Sequence, residues 1–184
     1  MNVQSLAFLA FLTVTVCACR LLGKKRRTWA LLAASLVFYL WSGTPAAWWG
    51  CGLLLVSSAV SLLAANRLRK DRRKGVFLAA VCYHIVVLGV FKYTGFLTGG
   101  AVQTPFVPLG ISFFTFQQIW YLHEVYTGGF EAGPTPAEYL TYSFFFPTVS
   151  SGPILKPQNF FPQLREAAPQ PRDTAAGLYA IGLG

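Results

Sequence analysis

The stretch PLGISFFTFQQIWYLHEVYTGG, residues 108–129, is followed after a short gap by FFFPTVSSGPILKPQNFFPQL, residues 144–164. Both blocks mix aromatic, amide, hydroxyl, proline and glycine residues. Sequence that faces lipid along its whole length would instead be Leu, Ile, Val and Phe, with little left to hydrogen-bond. Polar groups at this density inside an apolar chain predict a protein wall that lines a buried polar path.

The surrounding composition fits that expectation. The chain has 184 residues, 54% of them hydrophobic and only 11% charged, with a mean hydropathy of +0.50. That is too apolar for an ordinary soluble domain, so a bilayer is the expected solvent. The formal net charge of +9 could point to nucleic acid or to an anionic membrane face. Its distribution separates the two. Arg20, Lys24, Lys25, Arg26 and Arg27 form one group, and Arg67, Arg69, Lys70, Arg72, Arg73 and Lys74 form another. Each lies beside a long apolar run, and neither is interleaved with aromatic residues placed for base stacking. Nucleic acid is therefore not an expected partner, whereas the lipid bilayer is.

Apolar runs over residues 5–22, 28–42, 46–65 and 75–93 predict four transmembrane helices, the first short enough that Arg20 must snorkel to the interface. No period-two alternation supports a barrel, so the fold class is all-α, a polytopic integral membrane protein. A loop is expected over 94–107 and membrane or re-entrant helices over 108–164. A polar loop then leads from 165 to 174 into the start of a further membrane helix at 175–184. The two basic clusters place segments 23–27 and 66–74 on the cytoplasmic side and the N-terminus outside. A cleaved secretory signal fits less well, because the positive charges follow the first apolar run. Trp29, Trp41, Trp48 and Trp49 fall near helix ends, where indole rings favour the headgroup region. Cys17, Cys19, Cys51 and Cys82 lie in apolar runs without metal-site spacing, and no metal site is expected.

His84 sits in the middle of the fourth run, where an ionisable side chain is a functional candidate. A neutral imidazole bonded to another helix is the simpler reading, since no Ser, Asp or Glu lies one helical turn away to orient it. His123 and Glu124 are adjacent and point about 100° apart on a helix, so they form no intrahelical dyad; Glu124 is expected to meet a partner on another element. Pro108 and Gly110 can open a helix. From there Ser112, Thr115 and Gln118 recur at spacing three, the two hydroxyls serving either a substrate or their own helix backbone. Pro147 and the SSGP turn at 150–153 break a helix at membrane depth, which predicts a re-entrant or interfacial segment. Lys156 suits a lipid phosphate or an acidic substrate, with simple snorkelling the favoured account.

Together with WALLAASLVFYLW at 29–41 and VLGVFKYTGFL at 87–97, these blocks resemble the membrane-bound O-acyltransferase family, in the bacterial branch that O-acetylates alginate and related exopolysaccharides. The resemblance covers roughly residues 28–184. Pro108 through Gln117 stand in the family's P-(L/I)-G-(I/L)-S-F-(F/Y)-T-F-Q run, and Tyr121, Val125 and Tyr126 in its Y-x-x-D-V-Y-R-G run. Gly152, Pro153 and Ile154 stand in its GPI element. Departures occur at His123, where the family has an apolar residue, at Glu124 in place of Asp, and at Thr127 in place of Arg.

The resemblance implies transfer of an acyl group, here acetyl, to hydroxyls of a cell-surface or exported polysaccharide by a multi-pass protein of the bacterial inner membrane. It implies an activated thioester donor, acyl-CoA or acyl carrier protein, with no bound cofactor. An extracytoplasmic partner acyltransferase or the polysaccharide acceptor would complete the set of partners. Ser112, Phe114, Thr115, Gln117, Gln118, Tyr121, Ser151, Gly152 and Pro153 become candidates for lining the substrate tunnel. A histidine serves the family as general base, its pKa lying near operating pH. The family places that histidine well C-terminal of these motifs, beyond Gly184. The chain is accordingly expected to be the N-terminal portion of such an enzyme and inactive alone. Two alternatives stay open: D-alanyl transfer to teichoic acid, which PTVSSGP at 147–153 resembles, and a noncatalytic membrane scaffold subunit.

Overall fold

The computed structural model describes residues 6–41, 44–102, 106–130, 133–149, 152–166 and 179, with the side chains of 24 and 25 excepted. All regular elements among the described residues are helices. Helix α1 spans Leu6–Leu21 and α2 Lys24–Leu40. Helix α3, Pro45–Lys70, is capped by Thr44, whose hydroxyl accepts from the Ala47 amide at 3.3 Å. Helix α4, Lys74–Leu88, runs through a π-helical turn at Gly89–Tyr93 into α5, Thr94–Leu97. Helix α6 covers Ile111–Thr127, α7 Pro136–Phe144, α8 Phe146–Val149 and α9 Pro157–Glu166.

Two stretches, the 26 residues of Pro45–Lys70 and the 24 of Lys74–Leu97, are long and apolar enough to cross a bilayer; α1 is a shorter apolar helix. Several boundaries differ from those read in the sequence. Helix α2 begins at Lys24 rather than 28 and α3 continues to Lys70 rather than 65, because Lys and Arg are good helix formers. An i, i+3 bond from Arg69 to Asn66 Oδ1 at 3.1 Å further supports the last turn of α3. The basic segment 66–74 is therefore mostly helix, interrupted at Asp71, whose backbone is extended. The segment read as a loop from residue 94 begins as helix, with Thr94 and Thr98 hydroxyls bonded back to the Val90 and Thr94 carbonyls at 2.6 and 2.8 Å. The expected final helix at 175–184 and the turn residues Ser150 and Ser151 lie outside the described residues, Tyr179 excepted.

Helix α3 packs against α2, α4, α6 and α7, and small residues make this possible. Its buried positions include Ala47, Gly50, Cys51, Leu54, Ser57, Ser58, Ser61 and Ala65. They recur every three or four residues and form one face on which neighbouring backbones can approach closely. In α4 only Ala80, His84 and Leu88 are buried, a stripe one residue wide, while Leu78, Ile85, Val86 and Val90 just beyond are exposed. Two cores result. One gathers Phe38, Tyr39, Leu54, Phe114, Phe144 and Phe146; the other gathers Tyr121, Leu122, Tyr139, Tyr142 and Phe161.

Helix α6 starts where Gly110 adopts φ +70°, a left-handed conformation that a side chain would strain. Helix α7 starts with a capping box, Thr135 Oγ1 accepting from the Glu138 amide and Glu138 Oε2 from the Thr135 amide at 2.7 Å, with Pro136 in the first turn. The chain then breaks at Phe145, and the Phe146 amide donates to Ser35 Oγ of α2 at 3.3 Å. The break anticipated at Pro147 thus occurs two residues earlier and is satisfied by a neighbouring helix, as a backbone interruption at low dielectric requires.

Candidate functional site

The most polar place inside the molecule is built by three helices. In α3, Ser58 and Ser61 lie three residues apart and face inward; His84 does so from α4 and Gln118 from α6. All four are buried, none more than 1% exposed. Gln118 Nε2 donates to Ser58 Oγ at 3.2 Å, and Ser61 Oγ donates to Gln118 Oε1 at 3.1 Å. Ser61 Oγ also lies 2.7 Å from His84 Nε2. A hydroxyl has one proton; with the amide in this orientation Ser61 has given it to Gln118, so it must accept from His84 Nε2–H. The other ring nitrogen, His84 Nδ1, is buried without a hydrogen-bond partner among the described residues.

A second polar line runs from this cluster toward the basic end of α3. Arg69 donates to Tyr121 OH at 2.7 Å and lies over the same ring at 5.9 Å. The Tyr121 and Tyr139 rings are 4.6 Å apart, and Tyr139 is fully buried. Gln117 points the other way from Gln118. Its Nε2 donates to the Tyr142 carbonyl at 2.7 Å, while Tyr142 OH donates to the Leu155 carbonyl at 2.8 Å, with the Gln117 carbonyl a second acceptor within reach at 3.3 Å. The adjacent amides of α6 therefore join α3 and α4 on one side and α7 with the 152–156 segment on the other.

The candidate residues named from the sequence divide accordingly. Gln117, Gln118 and Tyr121 belong to these networks, and His84 joins them from α4. Thr115 is buried beside them, its hydroxyl without a partner among the described residues. Phe114 packs in the apolar core. Ser112 lies apart and accepts from Lys92 Nζ at 2.9 Å. Gly152 is held against Thr148 so closely that an added Cβ would stand 2.6 Å from the Thr148 Cβ, so the residue is glycine for space. Pro153 is exposed, and Ser151 lies outside the described residues. His123 is exposed, edge-on to Phe77 and near Trp120, away from the buried cluster. Glu124 accepts from Gln158 of α9 in a short contact. Thr127 turns its hydroxyl back onto the His123 carbonyl at 2.9 Å. Where the family pattern has Asp and Arg, this chain instead ties a carboxylate to an amide and satisfies the other position within its own helix.

The sequence reading missed Ser58, Ser61 and Arg69 as members of the site. The run VSSAVSLL carried the trace: serines at spacing three or four in an apolar span mark a helix interface rather than a lipid face.

No family model matches the chain, and no solved structure matches it significantly. Among curated proteins it is similar to the "Probable alginate O-acetylase" of Pseudomonas aeruginosa, at 31% identity over 168 residues, covering 79% of this chain and 31% of that protein. The protein of the same name from Pseudomonas putida is 28% identical over 73% of this chain and 30% of its own length. That of Azotobacter vinelandii is 30% identical over 71% and 29%. The chain thus spans about three tenths of the length of the curated relatives it matches.

Proposed function

Since the chain belongs to the alginate O-acetylase-like branch of the membrane-bound O-acyltransferase family, we propose that it forms part of a multi-pass enzyme of the bacterial inner membrane that acetylates hydroxyls of an exported polysaccharide. Helices α3 and α4 cross the bilayer, with the basic segments around 23–27 and 66–74 on the cytoplasmic side. The remaining residues needed for transfer, including the histidine general base, come from outside these 184 residues, and a thioester supplies the acetyl group. One observation carries the reading: α6, which holds the family-like P-L-G-I-S-F-F-T-F-Q run, turns its amides into the helix bundle rather than outward. In this role Ser58, Ser61, His84 and Gln118 fix α3, α4 and α6 against one another as a rigid wall of the acyl path. His84 acts there as a positioning residue, a role supported by its burial and by its 2.7 Å contact with Ser61 Oγ.

Deleting the coding sequence from its host should lower the base-released acetate of the purified exopolysaccharide. Unchanged acetate would sink the proposal, and loss of alanine esters instead would favour D-alanyl transfer.

A further inference from the structure

Between Lys74 and His123 the sequence carries a single charged side chain, Lys92. Helix from Lys74 to Lys92 spans about 27 Å at about 1.5 Å per residue, close to the roughly 30 Å of a hydrocarbon core. Lys92 therefore emerges at the headgroup level opposite the basic clusters, where a cation has no part in setting topology. It falls in the π-helical turn Gly89–Tyr93, an irregularity often found at functional sites. Its Nζ donates to Ser112 Oγ at 2.9 Å and lies 5.5 Å from the centroid of the Tyr93 ring. A lysine that only snorkels would extend into water, whereas this one is turned onto the first turn of α6. The bond joins the two family-like blocks at 87–97 and 108–117. Ser112 is neutral, and no carboxylate pairs with Lys92 among the described residues. The two other ammonium protons and the Ser112 hydroxyl proton likewise meet no acceptor there.

We propose that Lys92 and Ser112 form an extracytoplasmic docking site for a sugar carboxylate of the acceptor, which makes that acceptor a polyuronate rather than a neutral glycan. The inference rests on the acetyl-transfer reading above and on its membrane orientation. The ammonium pairs with the carboxylate, and the Ser112 hydroxyl, oriented by Lys92, donates to a neighbouring sugar oxygen. The exposed Tyr93 ring beside them offers an apolar surface to the C–H face of the sugar. Lys92 is itself exposed, so a polymer reaches it without opening the helix bundle. A lipid phosphate would also attract the ammonium. The fixed hydroxyl favours the saccharide, because a lysine alone suffices for a headgroup, whereas a uronate sets a carboxylate beside further oxygens.

The test titrates the whole protein in mild detergent with tetramannuronate and with its methyl ester, which has lost the charges, and follows thermal unfolding alongside. Wild type should bind the acid about fivefold more tightly than the ester, the effect of one exposed ion pair. Lys92→Gln should abolish that preference, and Lys92→Arg, which keeps the charge, should retain most of it. Ser112→Ala, which cuts the link between the two blocks but leaves the ammonium, should keep the preference. If Lys92→Gln and Ser112→Ala lower the melting temperature alike and neither alters the preference, the pair is a structural tie and the docking site is overturned. Equal binding of acid and ester by wild type overturns it without any variant, so a Lys92→Gln protein that fails to fold leaves the test standing. Displacement of the acid by phosphatidylglycerol micelles assigns Lys92 to lipid and also overturns it. Binding needs no acetyl donor, so the two readings fail separately: lowered acetate on gene deletion with no acid preference sinks this site alone, and unchanged acetate sinks the acetyl-transfer reading.

Discussion

At the residue scale, Ser61 carries more of the interior than its size suggests. It accepts from His84 and donates to Gln118, so its single hydroxyl satisfies two other buried polar groups on two other helices. Ser61→Ala should destabilise the protein by about 1–2 kcal/mol, because it leaves the imidazole N–H and the amide oxygen unpaired in a low-dielectric interior. Thermal unfolding in detergent reads the cost. In Ser61→Ala/His84→Ala the two costs should fall short of adding, since the second change removes the group the first one orphaned. Full additivity would dissolve the network. His84 itself stood out in the sequence as an intramembrane imidazole, and a hydrogen bond to another helix was the simpler expectation. Its actual partner was not legible, because nothing in VCYHIVVLG says which serine of another helix lies 2.7 Å away.

At the element scale, α7 shows how a nine-residue helix is held in place. Its capping-box residue Glu138 also takes a two-point contact from Arg165 of α9, at 2.8 Å from each of two guanidinium nitrogens. That hydrogen-bonded guanidinium holds the Glu138 carboxyl below the usual carboxylate range, against the opposing pull of burial. A carboxyl depressed in the folded state stabilises the fold above its unfolded pKa, and the contribution is lost as pH falls through the folded value. Stability should therefore decline on acidification below the ordinary carboxylate range. Glu138→Gln should flatten that part of the pH profile while costing about 0.5–2 kcal/mol near neutrality through the weakened cap and ion pair. Denaturation midpoints between pH 3 and pH 7, about the span over which a glutamate titrates, test both statements. The sequence marks of this helix, Thr135 and Pro136 followed by Glu138, are plain in retrospect.

At the scale of the whole molecule, the membrane topology and the helix arrangement separate cleanly. A reporter fused after Lys74 should be active on the cytoplasmic side and one inserted near Ala101 on the opposite side; the reverse pattern would overturn the orientation drawn from the basic clusters. The sequence by itself determined the all-helical class and the family resemblance, and of the four spans it offered two coincide with long apolar helical stretches, since hydropathy, the absence of period-two alternation and the P-L-G-I-S-F-F-T-F-Q block are local properties of the chain. Only the tertiary structure decided which polar residues meet. The hydrogen bonds that join Ser58, Ser61, His84 and Gln118 span 23 to 60 positions of the chain and form because α3 presents a small-residue face to both α4 and α6. Helix periodicity sets which residues share a face, while the choice of facing helix depends on close packing between segments remote in sequence.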